Sequence, residues 1–359
     1  ATSNGRVVLW NHQSGTSTSI AAHSTEVNAL SFDRAGKLLA TAGDDGTVRV
    51  WQVDSARPYW RAPVLLKKPL RLLTHRGWQK NEQAPKPRIR DVLEERTQYA
   101  EQSDDGIVCM RTYDGKLEAW DLEKDERLVE RKIADLEDVV AVPGGCASRA
   151  DGGVRIYARD GKVRQLALQA EAGALAYARD RVLVAAGEQV VVFDATGNER
   201  ERVTTGVGVT ALGIADIEGT PLLVVGYQDG NLELFALGGA ATKSFTFEGV
   251  PSSAATRLVA GPRDSVIAGF ANGTVGLWSL RDGKRLASGR VHGSIAHLVL
   301  EGGKLYAAST LGRVLSWELG PFYADRCTLL EDVWRKVPIT WQSGRALESP
   351  PPSDHACRQ

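Results

Sequence analysis

The feature that most constrains this chain is a short strand, closed by an aromatic residue, that recurs eight times. It reads SNGRVVLWN (3–11), DDGTVRVWQ (44–52), YDGKLEAWD (113–121), ADGGVRIYA (150–158), GEQVVVFDA (187–195), QDGNLELFA (228–236), ANGTVGLWS (271–279) and TLGRVLSWE (310–318). The closing aromatics are Trp10, Trp51, Trp120, Tyr157, Phe193, Phe235, Trp278 and Trp317, with successive separations of 41, 69, 37, 36, 42, 43 and 39 residues. A sustained period of strands decides the fold before any local reading does. The one long interval marks an insertion.

The most complete unit runs from Ala22 to Trp51, AHSTEVNALSFDRAGKLLATAGDDGTVRVW. Val27 to Phe32 alternates as a pleated strand, Asp33 to Gly36 supplies turn formers, and Leu38 to Thr41 forms a second apolar run. Asp45-Gly46 between apolar runs is a hairpin signal, because a tight turn wants positive φ at its centre. With His before the first strand, Thr in the second, Asp in the turn and Trp in the third, this unit resembles one WD40 repeat, whose period is about 40 to 45 residues.

The resemblance implies that His23, Thr41, Asp45 and Trp51 form a hydrogen-bonded tetrad inside one blade. A buried indole N–H and a buried His each need a partner in any case, so these four read as structural. The implied fold is all-β, a seven-bladed WD40-like β-propeller, with eight blades completed by an additional segment as the alternative. Residues 1–21 are then a partial blade and a ring-closing strand at Thr16 to Ile20. Residues 22–319 are the propeller with an insertion at about 57–105, and 320–359 form a non-repeat extension. The strand ending at Trp10 is left over, and residues upstream of Ala1 are expected in the intact protein.

Later blades depart from the pattern. Asn272 and Leu311 stand where the tetrad Asp would be, and Val225, Ala268 and Ala307 where the Thr would be. His292 sits at a blade-opening position without its partners. These blades must rest on apolar packing.

The insertion is rich in charge. Ten basic residues, Arg57, Arg61, Lys67, Lys68, Arg71, Arg76, Lys80, Lys86, Arg88 and Arg90, are interleaved with Tyr59, Trp60 and Trp78 against one acidic residue, Glu82. Residues 91–105 then turn acidic. Val64 to Leu66 and Gln98 to Gln102 are the expected strands here, and Leu72 to Arg90 reads as a long loop, the kind of segment that carries function. Basic and aromatic side chains together suit an acidic protein surface, or nucleic acid through phosphate contacts and stacking. They are equally consistent with a self-neutralising, solvated excursion.

Lys and Arg total 44, as do Asp and Glu, so no global charge points to nucleic acid or membrane. No leader or long apolar run is present, and a cytoplasmic protein is expected. Cys109, Cys146, Cys327 and Cys357 show no CxxC spacing and are assigned neither disulfide nor zinc; His355 beside Cys357 is read as tail. After the last repeat, Thr328 to Lys336 has helical spacing and is expected to pack as a short amphipathic helix on the propeller, ahead of an extended Ser349-Pro350-Pro351-Pro352 tail.

No nucleophile elbow, phosphate loop, HExxH or Cys with a His partner appears, and no cofactor or metal is implied. The expected function is a non-catalytic protein-interaction scaffold or sensor. Bacterial propellers of the kind resembled often follow a signalling NTPase, kinase or caspase-like peptidase domain, so the resemblance implies the regulatory part of a larger polypeptide. An enzyme with a site in the propeller channel is the competing class, and convergence of titratable side chains there is what would distinguish it.

Overall fold

The computed structural model describes residues 1–23, 26–44, 48–58, 64–67, 70–74, 77–78, 85–238, 247–337, 339–348 and 357. Strand β1 (Arg6–Asn11) pairs with β2 (Thr16–Ala21), and β3 (Val27–Phe32), β4 (Leu38–Gly43), β5 (Val48–Gln52) and β6 (Arg57–Pro58) form a four-stranded sheet. A three-stranded sheet of β7 (Val64–Lys67), β8 (Leu70–Thr74) and β9 (Gly77–Trp78) follows, then helix α1 (Pro87–Glu95).

Three four-stranded sheets come next. They are β10 (Thr97–Gln102), β11 (Ile107–Thr112), β12 (Lys116–Asp121) and β13 (Glu126–Lys132); β14 (Leu136–Val142), β15 (Gly145–Ala150), β16 (Gly153–Ala158) and β17 (Val163–Gln165); and β18 (Ala172–Ala178), β19 (Arg181–Ala186), β20 (Gln189–Asp194) and β21 (Glu199–Thr204). Then come β22 (Val209–Ile217), β23 (Thr220–Tyr227) and β24 (Leu232–Ala236); β25 (Ala255–Ala260), β26 (Ser265–Phe270), β27 (Thr274–Ser279) and β28 (Arg285–Arg290); and β29 (Ile295–Glu301), β30 (Lys304–Ser309) and β31 (Val314–Glu318). Helices α2 (Gly320–Tyr323) and α3 (Arg326–Lys336) and a hairpin of β32 (Ile339–Gln342) and β33 (Arg345–Glu348) complete the described chain.

Every sheet is antiparallel in chain order, and the first strands of seven of them pack in a closed cycle. Strand β7 lies against β10, β10 against β14, and so on through β18, β22, β25 and β29, which returns to β7. This is a β-propeller, and its closure leaves no free edge among the inner strands. The strand that closes on β29 is β7, not β3. The insertion therefore supplies a blade, while the sheet of β3 to β6, expected as the first blade, is not the one that meets β29.

Further expectations are corrected here. Val64 to Leu66 does not edge the His23 sheet, because β6 holds that position on β5 and β7 opens its own sheet. Residues 72–90 are not one long loop, since their described parts include β9 and the start of α1. Thr16 to Ile20 does not close the ring; β2 pairs with β1 along its whole length. Gln98 to Gln102 is a strand, as expected, within β10.

Helix α1 forms because Ile89, Val92 and Leu93 share one face and Pro87 sits in its first turn, where no N–H is needed. That face is buried between β7–β8 and β10–β12, against Leu66, Leu73, Ala100, Met110 and Trp120. Its free N-terminal donors are met from the next blade, as Asp125 accepts from Ile89 N at 2.8 Å and Arg88 N at 3.3 Å.

Each buried Trp finds a different partner for its N–H. Trp51 donates to Thr41 Oγ1 at 3.0 Å, and His23 Nε2 lies 2.7 Å from the same hydroxyl. These are three of the expected tetrad; Asp45 lies outside the described residues. Trp120 donates to the fully buried Glu118 carboxylate at 2.8 Å, which Arg96 approaches at 3.5 Å. Trp278 donates to the Glu248 carbonyl at 2.8 Å.

After the last blade, α3 forms where expected, its N-terminus capped by Asp325, which accepts from Cys327 N and Thr328 N. None of its side chains is fully buried, Leu329, Leu330 and Trp334 are half-buried, and Val333 is 52% exposed. Pro338 lies outside the described residues, and β32 pairs with β33 instead of adding a blade.

The cysteines overturn the assignment of no disulfide: Cys109 pairs with Cys146 and Cys327 with Cys357. Cys109 and Cys146 are 37 residues apart, one repeat, so equivalent strands β11 and β15 of adjacent blades bring their Cα atoms to 5.8 Å. Disulfides persist in oxidising compartments, which bears against the expected cytoplasmic setting. No helix among the described residues is long and apolar enough to cross a membrane.

From the length of the closed loop, Cys109→Ala with Cys146→Ala is expected to lower the unfolding free energy by about 3–4 kcal/mol. Denaturant unfolding with and without reductant checks this: the reductant should shift the native midpoint by more than the double variant's, in which only Cys327–Cys357 remains to be reduced.

Candidate functional site

The inner strands β10, β14, β18, β22, β25 and β29 share a one-residue register irregularity just after their first residue. Such a bulge fixes which residues turn inward. Beyond it, alternation sends Ala100, Val139, Leu175, Leu212, Leu258 and Leu298 between the blades, all 0–8% exposed. Their neighbours Tyr99, Asp138, Ala174, Ala211, Arg257 and His297 line the central channel, followed by Glu101, Val140, Ala176, Val259 and Val299.

The channel holds a cavity of about 380 Å³. One side, from β18 and β22, is built of small residues including Gly173, Ala174, Ala176 and Ala211, which leaves room for larger side chains from the other blades. On the other, polar side, Tyr99 of β10 stacks on His297 of β29 with ring centroids 4.8 Å apart and planes 4° from parallel. The Arg257 guanidinium sits 5.3 Å from the Tyr99 ring, a cation–π distance, and donates to the Thr256 carbonyl at 2.7 Å. Tyr99 OH donates to Glu101 Oε2 at 3.1 Å. Lys67 N donates to Gln102 Oε1 at 2.7 Å, tying β7 to β10. Arg149 pairs with Glu137 at the channel wall.

Burial sets the protonation of this cluster. It pushes the Glu101 carboxyl and the Tyr99 phenol up from their ordinary values, although the Lys67 and Arg257 charges pull Glu101 back. The Arg111 guanidinium, just behind the channel, is lowered by desolvation. Titratable groups thus converge in the channel. A buried carboxyl with a raised pKa keeps its proton to higher pH than an exposed one, but its contacts are to the neighbouring phenol and cations, and general acid–base chemistry also needs a reacting group within reach. Among the described residues no group of three or more His, Cys, Asp or Glu could hold a metal ion.

Of the basic residues singled out in the sequence, the described ones lie on different elements. Lys67 lines the channel, Arg57 lies on β6, Arg71 on β8 and Trp78 on β9. Lys86 donates to the Glu123 carbonyl at 2.6 Å, Arg88 lies 5.7 Å from the Trp120 ring centroid, and Arg90 N bonds Lys86 O in the first turn of α1. Tyr59, Trp60, Arg61, Lys68, Arg76 and Lys80 lie outside the described residues. The channel cluster itself escaped sequence reading. Aligning the inner strands at their shared register would have exposed Tyr99, Asp138, Arg257 and His297 as one ring.

A folded state that raises the pKa of Glu101 binds its proton more tightly than the unfolded chain. Ionising it costs stability as pH rises, and the cost disappears below the ordinary value of 4.5. Glu101→Gln should therefore unfold at a higher denaturant concentration than the native chain at pH 8, with the gap closing as the pH falls toward 4. A lower midpoint at pH 8 would mean that the ionised carboxylate is held by its cationic neighbours.

Comparison with known proteins gives a match of residues 15–52 to the family model of the WD domain, G-beta repeat. The segment is similar to part of the ribosome biogenesis protein ERB1 of Yarrowia lipolytica, 47% identical over 48 residues, or 13% of this chain and 6% of that protein. It is 46% identical over 52 residues to ERB1 of Meyerozyma guilliermondii, 14% of this chain and 7% of that one. The chain thus spans under a tenth of these relatives. Among solved structures, the computationally designed Ika8 protein overlays with a TM-score of 0.47 at 21% identity, covering 88% of this chain and 91% of that one.

Proposed function

We propose, from the premise that this chain is a WD40-repeat β-propeller, that it is a non-catalytic protein-interaction scaffold. The observation that carries this reading is the mutual engagement of the channel's ionisable groups. Tyr99 donates to Glu101, lies flat on His297 and receives Arg257 on its ring. A phenol bonded to a carboxyl, with a guanidinium on its face and an imidazole stacked on it, makes a polar plug that stiffens the ring, and a nucleophile with its own base is a different arrangement.

A stiff ring holds its connecting loops in fixed positions at little entropic cost on binding, which suits recognition of a folded partner. The partner in this reading is a protein or another domain of the same polypeptide, in a signalling or peptidase setting as the resemblance implies. Dispersal of Lys67, Lys86 and Arg88 over the channel and the next blade does not favour a nucleic-acid groove. The relatives are called ribosome biogenesis proteins; what they share with this chain is a single repeat, and no partner is carried over from them.

The test is a binding titration. A protein partner recovered from the native source is purified and its affinity measured for the native chain and for a Tyr99→Phe, Glu101→Gln variant. The scaffold reading expects dissociation constants within about threefold of each other, a difference under 1 kcal/mol. A turnover of any small molecule that the variant abolishes, or loss of the partner with it, would move the activity into the channel.

A further inference from the structure

Register comparison sets the unit β1–β6 apart from the closed ring. Strand β3 has the same bulge as the other inner strands, with Ala29 opposite Ala42 and Leu30 opposite Thr41. Leu30 therefore occupies the position of Ala100, Val139, Leu175, Leu212, Leu258 and Leu298. Those six are 0–8% exposed and Leu30 is 44% exposed. In the ring, that position is covered by the adjacent blade; beside β3 the cover is missing, because β7 and not β3 packs on β29.

The other end of the unit is uncovered as well. Trp10 closes β1 as Trp51, Trp120 and Trp278 close β5, β12 and β27, the third strands of their blades. Those three are 3%, 3% and 0% exposed, and Trp10 is 69% exposed. Strand β1 pairs with β2 on one edge, as a third strand pairs with a fourth, while its other edge, where a second strand would run, has no pairing among the described residues.

The turn leading into β1 is of a kind that joins antiparallel neighbours elsewhere in the chain, so a strand fits on that edge. Thr2 Oγ1 donates to Arg6 O at 3.0 Å, accepts from Arg6 N at 3.0 Å, and bonds Asn4 Oδ1 at 2.5 Å, with Gly5 at φ 79°. Thr112, in the turn joining the second and third strands of its blade, makes the same set. It donates to Lys116 O at 3.2 Å, accepts from Lys116 N at 3.0 Å, and bonds Asp114 Oδ1 at 2.6 Å, with Gly115 at φ 77°. Thr-x-Asn-Gly-Arg and Thr-x-Asp-Gly-Lys are one hairpin turn, and Ser103-x-Asp105-Gly106-Ile107 uses it again between β10 and β11, where Ser103 Oγ donates to Ile107 O at 3.2 Å and accepts from Ile107 N at 3.1 Å.

We propose that β1–β6 is the end of a second propeller, whose remaining blades precede residue 1 in the same polypeptide and cover Val8, Trp10, Leu30 and Phe32. Two propellers then lie in tandem. The first is completed from upstream and the second, from β7 to β31, closes on itself. The proposal stands independently of the channel and of the scaffold reading. The occupant is a set of four-stranded blades, since the register that leaves Leu30 and Trp10 bare is the register that buries their equivalents against such blades.

The test is side-chain oxidation mapped by mass spectrometry, on the polypeptide purified from its native source and on the 359-residue chain. The native polypeptide should exceed the 359-residue chain in mass, with Trp10 as protected as Trp120 and Trp278. In the shorter chain Trp10 should react about tenfold faster than those two, as its exposure requires. A native polypeptide of the same mass overturns the proposal, as does a longer one in which Trp10 reacts as fast as in the shorter chain. Concentration-dependent protection of Trp10 in the 359-residue chain overturns it too, by assigning the face to a second copy.

Discussion

The bulge at the start of each inner strand from β10 to β29 is the constraint from which the rest of the ring follows. By fixing register, it decides which alternate residues pack on the preceding blade, as Leu175, Leu212 and Leu258 do, and which turn toward the following one, as Val140, Ala174 and Ala211 do. Leu175, Leu212, Leu258 and Leu298 then build the interblade core, and Tyr99, Asp138, Arg257 and His297 meet in the channel. A slip of one residue would exchange the two sets, turning Asp138 and Arg257 onto the apolar clusters that now hold Val139 and Leu258. The energetic penalty for burying unpaired charge makes that exchange prohibitive.

Between blades, the problem to be solved is the same each time and the solutions differ. A closing aromatic must be buried, and if it is Trp its N–H must be satisfied. Thr41 with His23 does this for Trp51, the Glu118 carboxylate for Trp120, and the Glu248 carbonyl for Trp278, while Tyr157 and Phe193 remove the indole altogether. The degenerate repeats are thus alternative ways of closing the same steric slot, which is why the strand pattern survives where the His, Thr and Asp do not.

The strands were legible because a half-buried strand advertises its two-residue period and its glycine turns, as in Tyr113-Asp114-Gly115 before β12. The His23–Thr41–Trp51 contacts were legible because each side chain demands a partner. The blade inside the insertion was harder to see, since β7 is four residues and β9 two, with none of the turn signature of the others. A signal was present, as Trp78 lies 42 residues before Trp120, one repeat away. The disulfide was hidden for a related reason: sequence spacing of 37 residues looks remote until the repeat places β11 beside β15. The channel cluster draws one side chain from each of several blades, and no local window contains it.

The central claim is that the ring closes through β7 on β29 and excludes the first 58 residues. Its most direct test is thermal unfolding of a chain lacking residues 1–58. A ring that closes on β7 predicts a single cooperative transition within a few degrees of the ring transition in the intact chain, since under about 1 kcal/mol of ring stability is removed. Had the sheet of β3 to β6 been a blade of that ring, its deletion would open the cycle, and the shortened chain would lose its cooperative transition or fail to fold.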